Sequence, residues 1–155
     1  FFPLAMAKQS MTQFKSQDDH AFGYTPDTAY FTLDGMFRQR LKKEATELTL
    51  NHLIHYNYHP QWKIPMAPEA YRRDLSLFGD QYSNFNAGKI LLYLEGLAGL
   101  YYSIPDKQLT LQPALPRAWD WMELRLPIAG QWTQISYRHD GVQTSGSPFS
   151  VVVVE

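Results

Sequence analysis

Apolar residues recur at helical spacing over the middle of the chain and at alternating spacing over its last third, so two kinds of structure follow one another. Thr25, Pro26 and Asp27 form a helix start: a hydroxyl cap, a proline at the first helical position and a carboxylate where the helix dipole favours an anion. From there Leu33, Phe37, Leu41, Ala45 and Leu48 follow steps of three or four, which predicts one helix running through about Tyr58 and stopping at Pro60. Arg38, Gln39, Lys42, Lys43 and Glu47 fill its solvent face. Upstream, Met6, Met11 and Phe14 fit a weaker helix that ends in the polar SQDDH stretch.

Residues 60–83 hold Pro60, Pro65, Pro68 and Gly79 with few periodic apolar positions, and read as a long loop between helices. A second strong helix, capped by Asn84 or Asn86, is predicted to reach about Tyr102, with Ile90, Leu91, Leu94, Leu97 and Tyr101 along its apolar stripe. Gly88, Gly96 and Gly99 each cost such a helix roughly 1 kcal/mol relative to Ala, so they imply close packing against neighbours. A helix this apolar is expected to be buried in a larger helical assembly. After SIPDK the period becomes two: QLTLQP, MELRLPI, QWTQISYRH and PFSVVVVE alternate or are β-branched, with a turn expected at HDG over 139–141. These strands predict antiparallel β structure, with the change from helix to strand near residues 103–108.

Composition narrows the chemistry. With 14 Lys+Arg against 15 Asp+Glu the net charge is -1, without the basic excess of a nucleic-acid binder, and no apolar run approaches the length of a membrane span. The absence of cysteine excludes disulfides, thiolate metal sites and a cysteine nucleophile. Aromatic residues reach 15%, and Tyr and Trp can stack on the apolar faces of sugar rings while their polar tips bond hydroxyls. The opening FFPLAMAK has neither an initiator Met nor a signal-peptide pattern, as expected of a chain begun in mid-protein.

NAGKILLYLEGLAGL followed by LTLQPALPRAWDWMELRLPI resembles the end of the six-hairpin (α/α)6 glycoside hydrolases and the related maltose-phosphorylase-type enzymes. Glu95, Gly96, Leu97, Gly99 and Leu100 match the small-residue, Leu-rich end of the last barrel helix in those families. Leu109, Leu111, Pro113, Leu115, Pro116 and Trp119 match the strand that follows it. The likeness spans Asn84 to Ile128. It implies an α+β chain with terminal helices of an (α/α)6 barrel over 1–103 and an antiparallel β-sandwich portion over 104–155, cut from a larger glycosidase-type protein. Its partners would be an oligosaccharide or glycoside substrate and the remainder of the parent polypeptide, with no nucleic acid, membrane, metal or cofactor. Just upstream, GDQYSNFNAGK is similar to the loop entering the final barrel helix of trehalase-like and processing-glucosidase-like enzymes, which implies a catalytic base nearby.

A glycosidase needs two carboxyl groups across the scissile bond, roughly 6.5–9.5 Å apart for inversion or 5–5.5 Å for retention. The loop supplies Glu69, Asp74 and Asp80. Asp74 sits with Arg72 and Arg73 in PEAYRRD and reads as part of an ion-pair cluster, whereas Asp80, beside Gln81 and Tyr82, and Glu69 are the candidate catalytic bases. In a phosphorolytic enzyme inorganic phosphate would replace that base. Trp62, Tyr71 and Tyr82 are candidate sugar-stacking residues, Arg72 and Gln81 candidate supports, and His20 a weaker substrate contact. A noncatalytic carbohydrate-binding or structural module is the rival class.

Three further groups read as structural. His52, His55 and His59 share one helical face but lack a neighbouring acidic residue in an HExxH arrangement. Glu95 is expected to anchor the helix to a neighbouring segment. Trp119, Trp121 and Trp132 are expected to fill a seam between helices and sheet.

Overall fold

A computed structural model describes residues 26–58, 68–71, 77–81 and 83–154. The chain divides into two compact units, Phe1–Leu92 and Tyr93–Glu155. Thr25 and the segment assigned to the weaker first helix lie outside the described residues.

In the first unit, α1 (Pro26–Arg38) opens at Pro26, whose fixed φ suits the first helical position. Ala29, Leu33 and Phe37 bury one stripe of it. The single helix expected through Tyr58 is two: α1 ends at Arg38 and α2 covers Lys42–Tyr58. Arg40 adopts φ 62°, Leu41 donates its N–H to Met36 O at 3.0 Å, and Arg40 donates to Phe37 O at 2.9 Å. These two bonds form a Schellman cap, which satisfies carbonyls left open at the helix end and turns the chain. Leu41, assigned to the apolar stripe, is therefore 49% exposed, and α2 buries Ala45, Thr46 and Thr49 instead. On the solvent side, Arg38 Nε donates to Asp34 Oδ2 at 2.8 Å, an exposed i,i+4 pair.

The expected long loop contains a hairpin, β1 (Pro68–Tyr71) paired antiparallel with β2 (Leu77–Gln81). It leads to α3 (Ser83–Leu91), which begins ahead of Asn84 and Asn86 and so takes neither as its cap. A Cβ on Gly88 would stand 3.2 Å from Tyr30 Cβ, so the glycine lets α3 approach α1 closely. After α3 the backbone widens into a π-helical turn, Leu92–Leu97, closed by Ala98 N–H to Tyr93 O at 2.9 Å.

Helical structure therefore stops at Leu97, not at Tyr102. Leu100–Ser103 form β3, and Gly99, at φ +60°, makes the turn between the two states. Gln112 N–H donates to Gly99 O and Ala114 N–H to Leu97 O, each at 2.8 Å, so the helix exit is tied to the segment after β4. In this second unit β3 pairs antiparallel with β4 (Gln108–Leu111), and β4 pairs with β8 (Ser150–Val153). That last pair is parallel, a correction to the wholly antiparallel expectation. β5 (Trp121–Ile128), β6 (Gln131–Arg138) and β7 (Gly141–Ser145) form a separate antiparallel meander, with the expected turn at His139 and Asp140.

One core joins both sheets of this unit. Leu100, Leu109 and Leu111 from the first meet Ile128, Ile135 and Tyr137 from the second, with Leu124, Leu126, Phe149 and Val151 packed around them. Period two explains the choice: Met122, Leu124, Leu126 and Ile128 alternate inward against outward Trp121, Glu123, Arg125 and Pro127. Among the described residues there are three α-helices and no closed helical barrel; none of the helices is long and apolar enough to cross a membrane.

Candidate functional site

The candidate carboxylates fall on the hairpin of the first unit. Pro68 pairs with Gln81 and Ala70 with Phe78, so Glu69 alone spans the interval occupied by Gly79 and Asp80 on the other strand. This two-against-one irregularity is the pattern of a β-bulge, which bends a strand and re-aims side chains and is common beside active sites. The backbone thus brings Glu69 and Asp80 to neighbouring positions of one hairpin, with Gln81 at the pair with Pro68 and Tyr71 at the pair with Leu77. His20, Trp62, Arg72 and Tyr82 lie outside the described residues, as do Arg73, Asp74 and His59. His52 and His55 are on α2. Among the described residues no three metal-ligating side chains gather.

Strand pairing, and not loop sequence, juxtaposes the two carboxylates, which is why their proximity was not legible from residues 60–83. PEAY and LFGDQ are short, with a Pro and a Gly that favour a loop reading. Only pairing with each other satisfies their backbones as strands.

Elsewhere, Glu95 lies half-buried on the π-helical turn, and its carbonyl accepts a bond from the Tyr101 hydroxyl at 3.2 Å. Burial lowers the Lys89 pKa from its ordinary value and raises that of Tyr137. Within the second unit an apolar cleft of ≈ 350 Å³ is lined by Leu94, Leu100, Tyr102, Leu126 and Phe149, among others. It holds no carboxylate, so it offers no acid–base pair for glycoside cleavage.

Two of the three tryptophans expected in a seam face outward instead. Trp121 and Trp132 are each 60% exposed on the outer face of the β5–β6–β7 sheet, while Trp119 is half-buried in the stretch before β5. Strand parity is the reason: with Met122, Leu124 and Leu126 turned to the core, Trp121 must face out, and Thr133, Ile135 and Tyr137 do the same to Trp132. The Arg125 guanidinium lies over the Trp132 ring, 5.1 Å from its centroid. This aromatic face escaped sequence reasoning that treated Trp as filler, because alternation gives a strand two faces without saying which one is covered.

Residues 103–153 match the family model described as Glycosyl hydrolase family 65, C-terminal domain. No curated protein and no solved structure matched. The matched interval takes in all of β4–β8 and the LxLxPxLPxxW segment on which the sequence resemblance rests. Over residues 103–153 the strand-rich part of this chain is thus similar to the C-terminal domain of glycosyl hydrolase family 65, which supports a glycoside hydrolase or maltose-phosphorylase-type origin.

Proposed function

We propose that this chain serves within a larger enzyme that cleaves glycosidic bonds, with Asp80 as the base that activates water and Glu69 as the alternative. The observation that carries the reading is the family-65 match over residues 103–153, immediately downstream of a helix entered from a bulged hairpin bearing both carboxylates. The acid partner would come from the parent polypeptide. Trp62, Tyr71 and Tyr82 would stack on the sugar, with Arg72 and Gln81 supporting the carboxylate and His20 at the edge of the site. An arginine beside the base would keep it ionised at working pH by lowering its pKa.

Asp80→Asn in the complete enzyme is expected to cut turnover at least ~10²-fold with substrate binding largely kept, because the amide retains the shape and loses the base. Near-normal turnover would reject Asp80 and pass the role to Glu69→Gln. The family resemblance equally supports phosphorolysis, in which phosphate replaces the activated water and no carboxylate of the hairpin is essential. Turnover of the complete enzyme on a glycoside panel with and without inorganic phosphate separates the two: hydrolysis proceeds without it, phosphorolysis requires it.

A further inference from the structure

The outer face of the β5–β6–β7 sheet has a composition that packing does not explain. Its two indoles stand exposed at opposite ends: Trp121 pairs with Arg138, and Trp132 pairs with Pro127. Six residue steps along β5 separate those two pairs, about 20 Å at the usual strand rise. Between them the outward positions carry Glu123 and Arg125 on β5, Gln134 on β6 and Gln143 on β7, joined across the ladder by the pairs Arg125 with Gln134 and Ser136 with Gln143. One sheet face thus presents aromatic surface at each end and a carboxylate, a guanidinium and two amides in the middle.

We propose that this face binds a linear oligosaccharide lying across the sheet from Trp121 to Trp132. Sugar rings offer two chemistries at once, C–H faces that stack on indole and hydroxyls that pair with planar polar groups. The face supplies both. The span exceeds what one sugar ring can reach, so the ligand is a chain. Other occupants fit less well. The polar row interrupts any continuous apolar contact that a membrane or an obligate protein interface would need, and Glu123 together with a net charge of -1 opposes nucleic acid. Arg125, stacked on Trp132, holds one end of the row in place and offers its N–H groups to hydroxyls. The inference rests on the reading of the parent as a glycan-acting enzyme but not on the hairpin carboxylates. It gives the C-terminal domain a role in holding substrate away from the catalytic centre.

The test is titration of the intact protein with maltoheptaose and with cellohexaose, followed by tryptophan fluorescence and calorimetry while a saturating short glycoside occupies the catalytic site. Saturable binding of at least one glucan is expected, with glucose far weaker. Trp121→Ala and Trp132→Ala should each weaken it about tenfold or more, and the Phe replacements should keep most of it. Circular dichroism and thermal melting check that the variants fold, a mild demand for side chains this exposed. Binding that persists unchanged in both Ala variants would overturn the proposal. So would the absence of saturable binding to either glucan, equal binding of glucose, or self-association lost on removing the tryptophans. Asp80→Asn leaves this binding in place while cutting turnover at least ~10²-fold if the catalytic reading holds, so failure of one reading is distinguishable from failure of the other.

Discussion

Arg40 is the residue at which local backbone demand and side-chain identity disagree most plainly. Its φ of 62° is the left-handed position of a Schellman cap, where glycine carries no Cβ penalty and an L-residue pays roughly 1 kcal/mol. Arg40→Gly is expected to stabilise the chain by about 0.5–1 kcal/mol, read as a rise in urea midpoint with unchanged slope; a loss would mean that the side chain supplies more than the cap costs. Tyr137 makes a second residue-scale case. It is fully buried, its hydroxyl has no hydrogen-bond partner among the described residues, and burial holds its pKa above the ordinary 10.0 because the phenolate is disfavoured there. The folded state therefore keeps a proton that the unfolded state releases. Stability from this group is fully present below about pH 10 and declines as pH rises above it. Tyr137→Phe should flatten that alkaline decline and, by removing an unpaired buried hydroxyl, raise stability near pH 7 by about 1 kcal/mol. Urea unfolding of both proteins at about pH 7 and about pH 11 gives the comparison.

At the scale of elements, the decisive point is the exit from the last helix. Hydrophobic periodicity alone continues through Tyr101, yet the structure turns at Gly99, where an added Cβ would lie 1.9 Å from Gln112 O. No side chain fits there, and the φ of +60° adds its own strain. Gly99→Ala is expected to cost about 2–5 kcal/mol, from overpacking against backbone and from the left-handed conformation together, measured by chemical denaturation. A cost below 1 kcal/mol would show that the β3–β4 pairing tolerates displacement of the exit. The same limit of periodicity explains the divided first helix. Leu41 keeps the helical spacing, but capping bonds to Met36 and Phe37 outweigh burial of one more leucine. It also explains the hairpin, whose short strands become stable only as a pair.

For the whole molecule, the core of the second unit follows from strands whose alternation was readable in advance. Alternation in QLTLQP, MELRLPI and QWTQISYRH predicted strands with two unlike faces, and Leu109, Leu111, Leu124, Leu126, Ile135 and Tyr137 are the residues that meet. The family match falls on the same strands, over residues 103–153. Local sequence thus determined the α+β class, a passage from helix to strand, the HDG turn and the family likeness, all of which depend on residues near one another in the chain; the place of the passage, expected near residues 103–108, was set instead by the turn at Gly99. Tertiary structure decided the parallel β4–β8 pair, the bulge that sets Glu69 beside Asp80, and the outward placement of Trp121 and Trp132. Each of those depends on which distant strand lies alongside and which face it covers. A side-chain period specifies two faces; only the neighbour that packs on one of them determines which face is left to solvent and ligand.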